Sequence, residues 1–158
     1  MTLRVLAGFA AAAAVAGVAA TAALPASSHA FRATYAGHGS GTVSGTTVSG
    51  SATATGSGRP IGRGTLTGSA RGNFVSTTCV VFDGTAVLHG TAGTVSVAAH
   101  AGRACGSSGV ASVSFSGRVA VTGGTGTFSG AQGTLSFSGT YSQESKAVRI
   151  TFRGRLTY

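Results

Sequence analysis

Acidic residues are almost absent from this chain. Its 158 residues contain two carboxylate side chains, Asp83 and Glu144, against eleven lysines and arginines, and the formal net charge is +9. General acid–base catalysis by paired carboxylates needs two acids within reach of one reacting group. Asp83 precedes Gly84, a pair typical of a hairpin turn, and Glu144 lies in a polar segment that is typical of another turn. We therefore expect no catalytic carboxylate pair.

Cysteine is equally scarce, since Cys79 and Cys105 are the only two. One intramolecular pairing is available to them. In an oxidising compartment it would close a loop of about 27 residues, worth roughly 3–4 kcal/mol on the chain-entropy model. His38, His89 and His100 are scattered singly, without metal-ligand spacing to either cysteine. The sequence predicts a Cys79–Cys105 disulfide and no metal site.

Motifs for cofactor or nucleophile chemistry are also missing. There is no nucleophile elbow with a convincing histidine and acid, and the single lysine, Lys146, is not preceded by the glycines of a phosphate loop. Gly124 and Gly126 lack the strand-to-helix context of a dinucleotide fingerprint. We expect no cofactor, and we interpret the chain as non-catalytic.

The amino terminus has the form of a secretory signal. Arg4 precedes an apolar run from Val5 to Leu24, and Ser28-His29-Ala30 offers small residues at the two positions that a signal peptidase reads. This predicts a signal peptide over 1–30 and a secreted single domain over 31–158. The alternative is an uncleaved membrane anchor, but the run is rich in alanine and ends in a good cleavage site. No second apolar run exists, so no membrane span is expected after cleavage.

Hydrophobic residues in the remaining chain alternate with a period of two, which is typical of half-buried strands. The clearest stripe contains Val148, Ile150, Phe152 and Leu156, and two similar stripes lie over 113–121 and 135–141. Weaker strands are predicted earlier, including one from Val43 to Ala54. The glycine-rich stretch from Gly37 to Gly58 has a competing interpretation as a flexible segment. Many short strands separated by glycine-rich turns indicate a sandwich or barrel.

Glycines also interrupt the apolar faces of the predicted strands. Glycine inside a strand usually marks a bend or the close approach of another backbone, and a sheet needs such bends to close on itself. We therefore expect a closed antiparallel barrel rather than an open sandwich. The positions concerned are Gly64, Gly68, Gly117, Gly139 and Gly154.

The segment Val121–Thr134, VTGGTGTFSGAQGT, resembles the Gly-Gly-Thr-Gly-x-Phe-x-x-Ala-x-Gly hairpin of the dirigent and allene oxide cyclase-like barrels. The resemblance covers about a dozen residues, with weaker agreement in the flanking strands. It implies an all-β, calycin-like antiparallel barrel of about eight strands around a central cavity, often assembled as a dimer or trimer. Small secreted bacterial relatives are similar in composition and carry no assigned activity. The catalytic residues of the plant members cannot be placed on this chain.

Two functions remain open from the sequence. The first is a non-catalytic binding or structural module of the cell exterior, whose barrel interior, lined by Phe115, Phe137, Tyr141 and Phe152, takes a small apolar ligand. The second is a cyclase- or dirigent-type enzyme that steers a reactive intermediate, which would need a buried acid or tyrosine in a deep pocket.

Arginines provide a separate candidate site. Arg149, Arg153 and Arg155 project from one side of the last predicted strand, so they could grip the phosphate or carboxylate groups of a polyanion. Arg118 would join them if its strand were a neighbour. The alternative is a solvated outer face. Specific nucleic-acid binding is not expected, because the aromatic residues of the last strand lie on the opposite face.

Overall fold

The fold is known from a computed structural model, which describes residues 27–106 and 111–158. The chain forms eight strands and one 3₁₀ turn: β1 (Ser28–Ser44), β2 (Thr47–Arg59), β3 (Gly62–Phe74), β4 (Cys79–Gly90), β5 (Gly93–Gly106), β6 (Ser112–Gly124), η1 (Gly126–Phe128), β7 (Gln132–Ser142) and β8 (Ala147–Thr157). Each strand pairs antiparallel with the next, and β8 pairs with β1. The predicted closed antiparallel barrel of eight strands is confirmed.

Side chains alternate between the inside and the outside of the barrel along every strand. In β8 the buried positions are Val148, Phe152 and Leu156, whereas Arg149 and Arg153 are exposed. This alternation follows from the pleat, which points successive side chains to opposite faces. A stripe of period two in the sequence therefore identified the inner wall.

The segment from Gly37 to Gly58 is a hairpin. It contains the end of β1, a turn at Gly45 and Thr46, and most of β2. The prediction of one strand from Val43 to Ala54 was wrong, because that range crosses the turn. Gly45 has a φ of +60°, a left-handed conformation that glycine adopts without steric cost. The inward positions here are mostly glycine and alanine, so the sequence shows no apolar stripe.

Inward-facing glycines lie where a neighbouring strand or ring comes close. At Gly154 an added Cβ would stand 2.6 Å from the carbonyl oxygen of Thr134, and at Gly117 it would stand 2.9 Å from the Phe137 ring. Gly64, Gly68 and Gly139 are equally crowded, each with a neighbouring atom nearer than 3.0 Å. The close approach predicted at these five positions is confirmed, and it lets the strands curve into a narrow barrel.

One half of the barrel is packed with large side chains. The connection from β6 to β7 includes η1, and its Phe128 is fully buried, with its ring 5.1 Å from that of Tyr158 in an edge-to-face arrangement. This connection lies within Val121–Thr134, the segment that resembles the dirigent and allene oxide cyclase-like hairpin. Around it lie the other large buried side chains of this end: Phe31, Ile61, Leu88, Val95, Leu135 and Leu156. This end of the barrel is closed by its own core.

Candidate ligand cavity and basic face

The other half of the barrel contains a cavity of about 790 Å³. Its lining reaches the strand ends at Val43, Thr78, Gln143 and Lys146, so it extends to the barrel end that carries the β1–β2, β3–β4 and β7–β8 connections. We call this end the mouth. Ligand pockets in proteins occupy roughly 300–1,000 Å³, so the space is large enough for a small organic molecule.

Phenylalanines form the floor of the cavity. The ring of Phe137 lies 6.1 Å from that of Phe82 and 6.4 Å from those of Phe115 and Phe152, measured between centroids. All four line the cavity, as does Tyr141. The predicted inward positions of Phe115, Phe137, Tyr141 and Phe152 are confirmed. Phe82 was not singled out from the sequence, although its alternation with Val80 and Gly84 on β4 carries the signal.

Small residues create the space above this floor. Ala70 on β3 lies directly opposite Gly50 on β2 and Gly84 on β4, and all three line the cavity. Three adjacent strands thus have almost no side-chain volume at one level of the barrel. In the packed half, by contrast, leucine, isoleucine and phenylalanine side chains fill the interior.

Apolar side chains surround the mouth. Val43 at the end of β1 is 64 % exposed, and Phe74 and Val75 at the end of β3 are 40 % and 55 % exposed. In the described part of the chain these are the exposed large hydrophobic residues. They place apolar surface where a ligand would enter.

Tyr35 is a buried tyrosine of the kind that the second, enzymatic function would require. Its side chain is fully buried, its ring packs edge-to-face on Phe152 at 6.5 Å, and its hydroxyl has no hydrogen-bond partner among the described residues. Burial raises the pKa of Tyr35 to about 12, because desolvation disfavours the phenolate. The phenol is therefore neutral at physiological pH.

Both acids lie outside the barrel. Asp83 is on the outer face of β4 with its side chain 71 % exposed, where its carboxylate accepts a hydrogen bond of 2.9 Å from the Ala101 backbone N–H and lies 3.7 Å from His100 Nδ1. It faces a bulge in β5, at which Ala101 has a φ of +54°. The hairpin turn predicted at Asp83 was wrong, since β4 continues through it. Glu144 is exposed in the β7–β8 turn, as predicted. Neither carboxylate lines the cavity.

The disulfide joins Cys79 to Cys105, as predicted. The two cysteines are directly opposite each other on β4 and β5, with Cα atoms 4.2 Å apart. They lie near the mouth, where β4 begins and β5 ends. The bond therefore ties two adjacent strands at the cavity end, in the half that has the thinner core.

Arg149, Arg153 and Arg155 are all exposed on the outer face of β8, as the sequence predicted. The strand register brings further arginines to them. A line of directly opposite residues crosses five neighbouring strands, and we call it the arginine row: Arg118 (β6), Ser136 (β7), Arg153 (β8), Arg32 (β1) and Arg59 (β2).

The arginine row includes Arg118, which the sequence could not assign to a neighbouring strand. Arg32 and Arg59 were missed, because only the long-range register between β1, β2 and β8 reveals them. Arg155 has local partners instead, donating hydrogen bonds to the Ser28 hydroxyl and carbonyl.

The structure holds no further group of ligating side chains in its described ranges. Within 27–106 and 111–158, no three His, Cys, Asp or Glu residues come together in a way that could bind a metal ion. Over the same residues there is no helix whose length and hydropathy would allow it to cross a membrane.

Comparison with protein-family models, with curated proteins and with solved structures finds no match for this chain. The resemblance to the dirigent and allene oxide cyclase-like barrels therefore stays a prediction.

Proposed function

We propose that this protein is a non-catalytic binding module of the cell exterior, which takes a small apolar ligand into the open half of its barrel. The observation that carries the proposal is the contrast between the two halves: one is closed by buried leucines and phenylalanines, and the other contains about 790 Å³ of space. A core left unfilled forfeits packing energy. An apolar ligand would restore those contacts.

The cavity matches an apolar ligand in chemistry as well as in size. Its floor consists of aromatic rings, its mouth carries Val43 and Phe74, and both acidic side chains lie outside it. Burial of an apolar ligand surface contributes about 25 cal/mol per Å². Gln143 and Lys146 are polar groups near the mouth, where the polar end of an amphipathic ligand would stay in contact with water.

Secretion is part of the proposal and rests on the signal peptide predicted over 1–30, of which residues 1–26 lie outside the described residues, together with the disulfide. Disulfides persist in exported proteins and are rare in reducing compartments. A cyclase- or dirigent-type enzyme is the second candidate, favoured only by Tyr35, whose neutral phenol has no hydrogen-bond partner among the described residues and could donate a hydrogen bond. Tyr35 is not among the residues that line the cavity.

The test is a substitution that fills the cavity. Ala70 lies between two glycines on the neighbouring strands, so Ala70→Phe has room for its ring in the cavity itself. The same change on the exposed face of β6, Ala120→Phe, is the matched control. Binding of an uncharged fluorescent probe such as N-phenyl-1-naphthylamine, and of medium-chain fatty alcohols, would be measured by titration.

We expect the wild type and Ala120→Phe to bind one equivalent, and Ala70→Phe to bind at least about tenfold more weakly, the equivalent of about 1.4 kcal/mol. Equal binding by the two variants would place the ligand elsewhere. No saturable binding by the wild type would contradict the proposal. If substrate turnover were found instead, loss of that turnover in Tyr35→Phe would favour the enzyme.

A further inference from the structure

The outer face of the barrel brings arginines together with no acidic side chain among the residues directly opposite them. Arg153, Arg32 and Arg59 are directly opposite one another on three adjacent strands, which are about 4.8 Å apart. Like charges at directly opposite positions destabilise a sheet. Within the described ranges the one contact between a basic and an acidic side chain joins His100 and Asp83, on β5 and β4. The charge of the arginine row is therefore uncompensated by the fold.

A second line of opposite residues runs beside the arginine row, two residues farther along each strand, or about 7 Å away. It begins at Arg103 on β5 and ends at Arg63 on β3, so it crosses seven strands. Between these arginines lie five hydroxyl residues, and we call the line the hydroxyl row: Ser116, Ser138, Thr151, Thr34 and Ser57.

The surface is concave where the hydroxyl row crosses β5 to β8. A depression of about 560 Å³ lies there, with Arg103 and Arg149 on its two outermost strands. Serine and threonine make up half of its lining residues, and Cys105, Phe115 and Gly139 complete the lining. The two arginines are three strands apart, or about 14 Å across the sheet. Arg149, which the sequence placed with Arg153 and Arg155, belongs to this depression and not to the arginine row.

We propose that this face binds a linear anionic glycan, with the charged groups of the glycan along the arginine row and its sugar hydroxyls on the hydroxyl row. A guanidinium donates two parallel hydrogen bonds to a carboxylate or sulfate. Serine and threonine hydroxyls both donate and accept, which suits a ligand that carries many hydroxyls. The site lies on the outside of the barrel and is independent of the cavity.

The shape of the face favours a flexible chain over a flat anionic surface. Both rows cross the tilted strands of a closed barrel, so each row follows the curve of the wall and its two ends face in different directions. Single-stranded nucleic acids bind through aromatic stacking platforms. The phenylalanines and tyrosines of β6, β7, β8 and β1 occupy inward-facing positions. The outward-facing positions of these strands thus carry charge and hydroxyls without phenylalanine or tyrosine, and the one such ring that borders the depression belongs to the inward-facing Phe115.

The test compares two double variants with equal loss of charge. Arg32→Ser/Arg153→Ser removes the centre of the arginine row, whereas Arg71→Ser/Lys146→Ser removes two exposed cations outside both rows. Affinity for heparin, as the sulfated probe, and for polygalacturonate, as the carboxylated one, would be measured with the purified protein at about 150 mM salt. A single-stranded oligonucleotide and vesicles containing phosphatidylglycerol complete the ligand set.

We expect the row variant to lose about a hundredfold in affinity for a glycan probe, about tenfold for each arginine, and the control variant to lose about twofold. Equal losses in both variants would show diffuse attraction and overturn the proposal. Tighter binding of the oligonucleotide or the vesicles than of either glycan would overturn it in favour of that partner. Absence of glycan binding would overturn it outright.

Thermal unfolding provides a second measurement on the same variants. Because the row variant removes opposed like charges, we expect its midpoint to rise above that of the wild type at low salt, and the difference to shrink at high salt. The control variant should show no such rise. A lower midpoint for the row variant at both salt concentrations would mean that these arginines stabilise the fold, contrary to the proposal.

Discussion

Arg155 is fastened to Ser28 across the seam between β8 and β1. Its Nε donates a hydrogen bond of 2.9 Å to the Ser28 hydroxyl, and a terminal nitrogen donates one of 3.2 Å to the Ser28 carbonyl. Ser28 precedes the predicted cleavage position after Ala30, and so does His29, whose ring stacks on Tyr158 at 4.6 Å. The first residues of β1 therefore belong both to the predicted leader and to the barrel wall.

We predict that the exported protein begins at Phe31, so that cleavage releases Arg155 from Ser28 and adds a free guanidinium beside the arginine row. Intact mass and amino-terminal sequencing of the secreted protein check this. A start at or before Ser28 would contradict it. A recombinant form that starts at Ser27 is the control for stability. It should be slightly more stable than the Phe31 form, because Ser28, His29 and Ala30 pair with β8.

Replacing Gly139 with alanine should destabilise the barrel. A Cβ at this position would overlap the carbonyl oxygen of Arg149 and the ring of Phe115, and overpacking of this kind costs about 1–3 kcal/mol. Gly41→Ala is the matched control, since its nearest neighbour would be the Ser49 carbonyl at 3.9 Å. Urea unfolding should show a loss for the first variant and none for the second. Similar effects at both sites would refute the difference in crowding between these two positions.

Replacing Tyr35 with phenylalanine should stabilise the protein by about 1 kcal/mol, because it removes a buried hydroxyl that lacks a partner among the described residues. Free energies of unfolding would be measured near pH 7, with Tyr141→Phe as the control. Destabilisation by Tyr35→Phe would show that the hydroxyl makes a favourable hydrogen bond in solution.

The same variant should change the stability of the protein in alkaline solution. An unfolded chain ionises its tyrosines near pH 10, whereas burial raises the pKa of Tyr35 to about 12. Between these values the unfolded state releases a proton that the folded state retains. Stability should therefore fall from pH 10 to about 12, by at most about 1.4 kcal/mol per pH unit. Tyr35→Phe should show a shallower decline over that window, and an unchanged decline would contradict the burial argument.

Removing the disulfide should lower the free energy of unfolding by about 3.5 kcal/mol, as the loop-closure entropy for a separation of 26 residues predicts. The variant Cys79→Ser/Cys105→Ser would be compared with the wild type in denaturant, with and without reductant. The two proteins should coincide once the wild type is reduced. A persistent difference under reductant would mean that the serines perturb the folded state by themselves.

The sequence predicted β6, β7 and β8 well, because valine, leucine and phenylalanine occupy alternate positions along them. It predicted β1 and β2 poorly, because inward positions such as Gly39, Gly41 and Gly50 carry no side chain and leave the alternation invisible. Arg32 and Arg59 could not be joined to Arg153 from the sequence. Their proximity depends on register between strands that are far apart along the chain, which local pattern does not encode.

The cavity illustrates the same limit. The alternation of Phe115, Phe137 and Phe152 predicts an inward face, but not the level of the barrel at which bulky residues give way to small ones. That level follows from opposing residues on adjacent strands, as at Ala70 between Gly50 and Gly84. The all-β class was thus accessible from the sequence, whereas the depth of the cavity required the strand register.

The difference between the packed half and the open half of the barrel determines which substitutions the protein tolerates. Fully buried side chains are concentrated around Phe128 and Leu135, far from the entrance. Larger residues at positions in the open half, such as Gly41 or Ala70, would extend into empty volume. They would change which ligands fit the proposed site and leave the packed half unchanged. For the proposed ligand site, we therefore expect substitutions in the open half to change selectivity without disturbing the packed half on which folding depends.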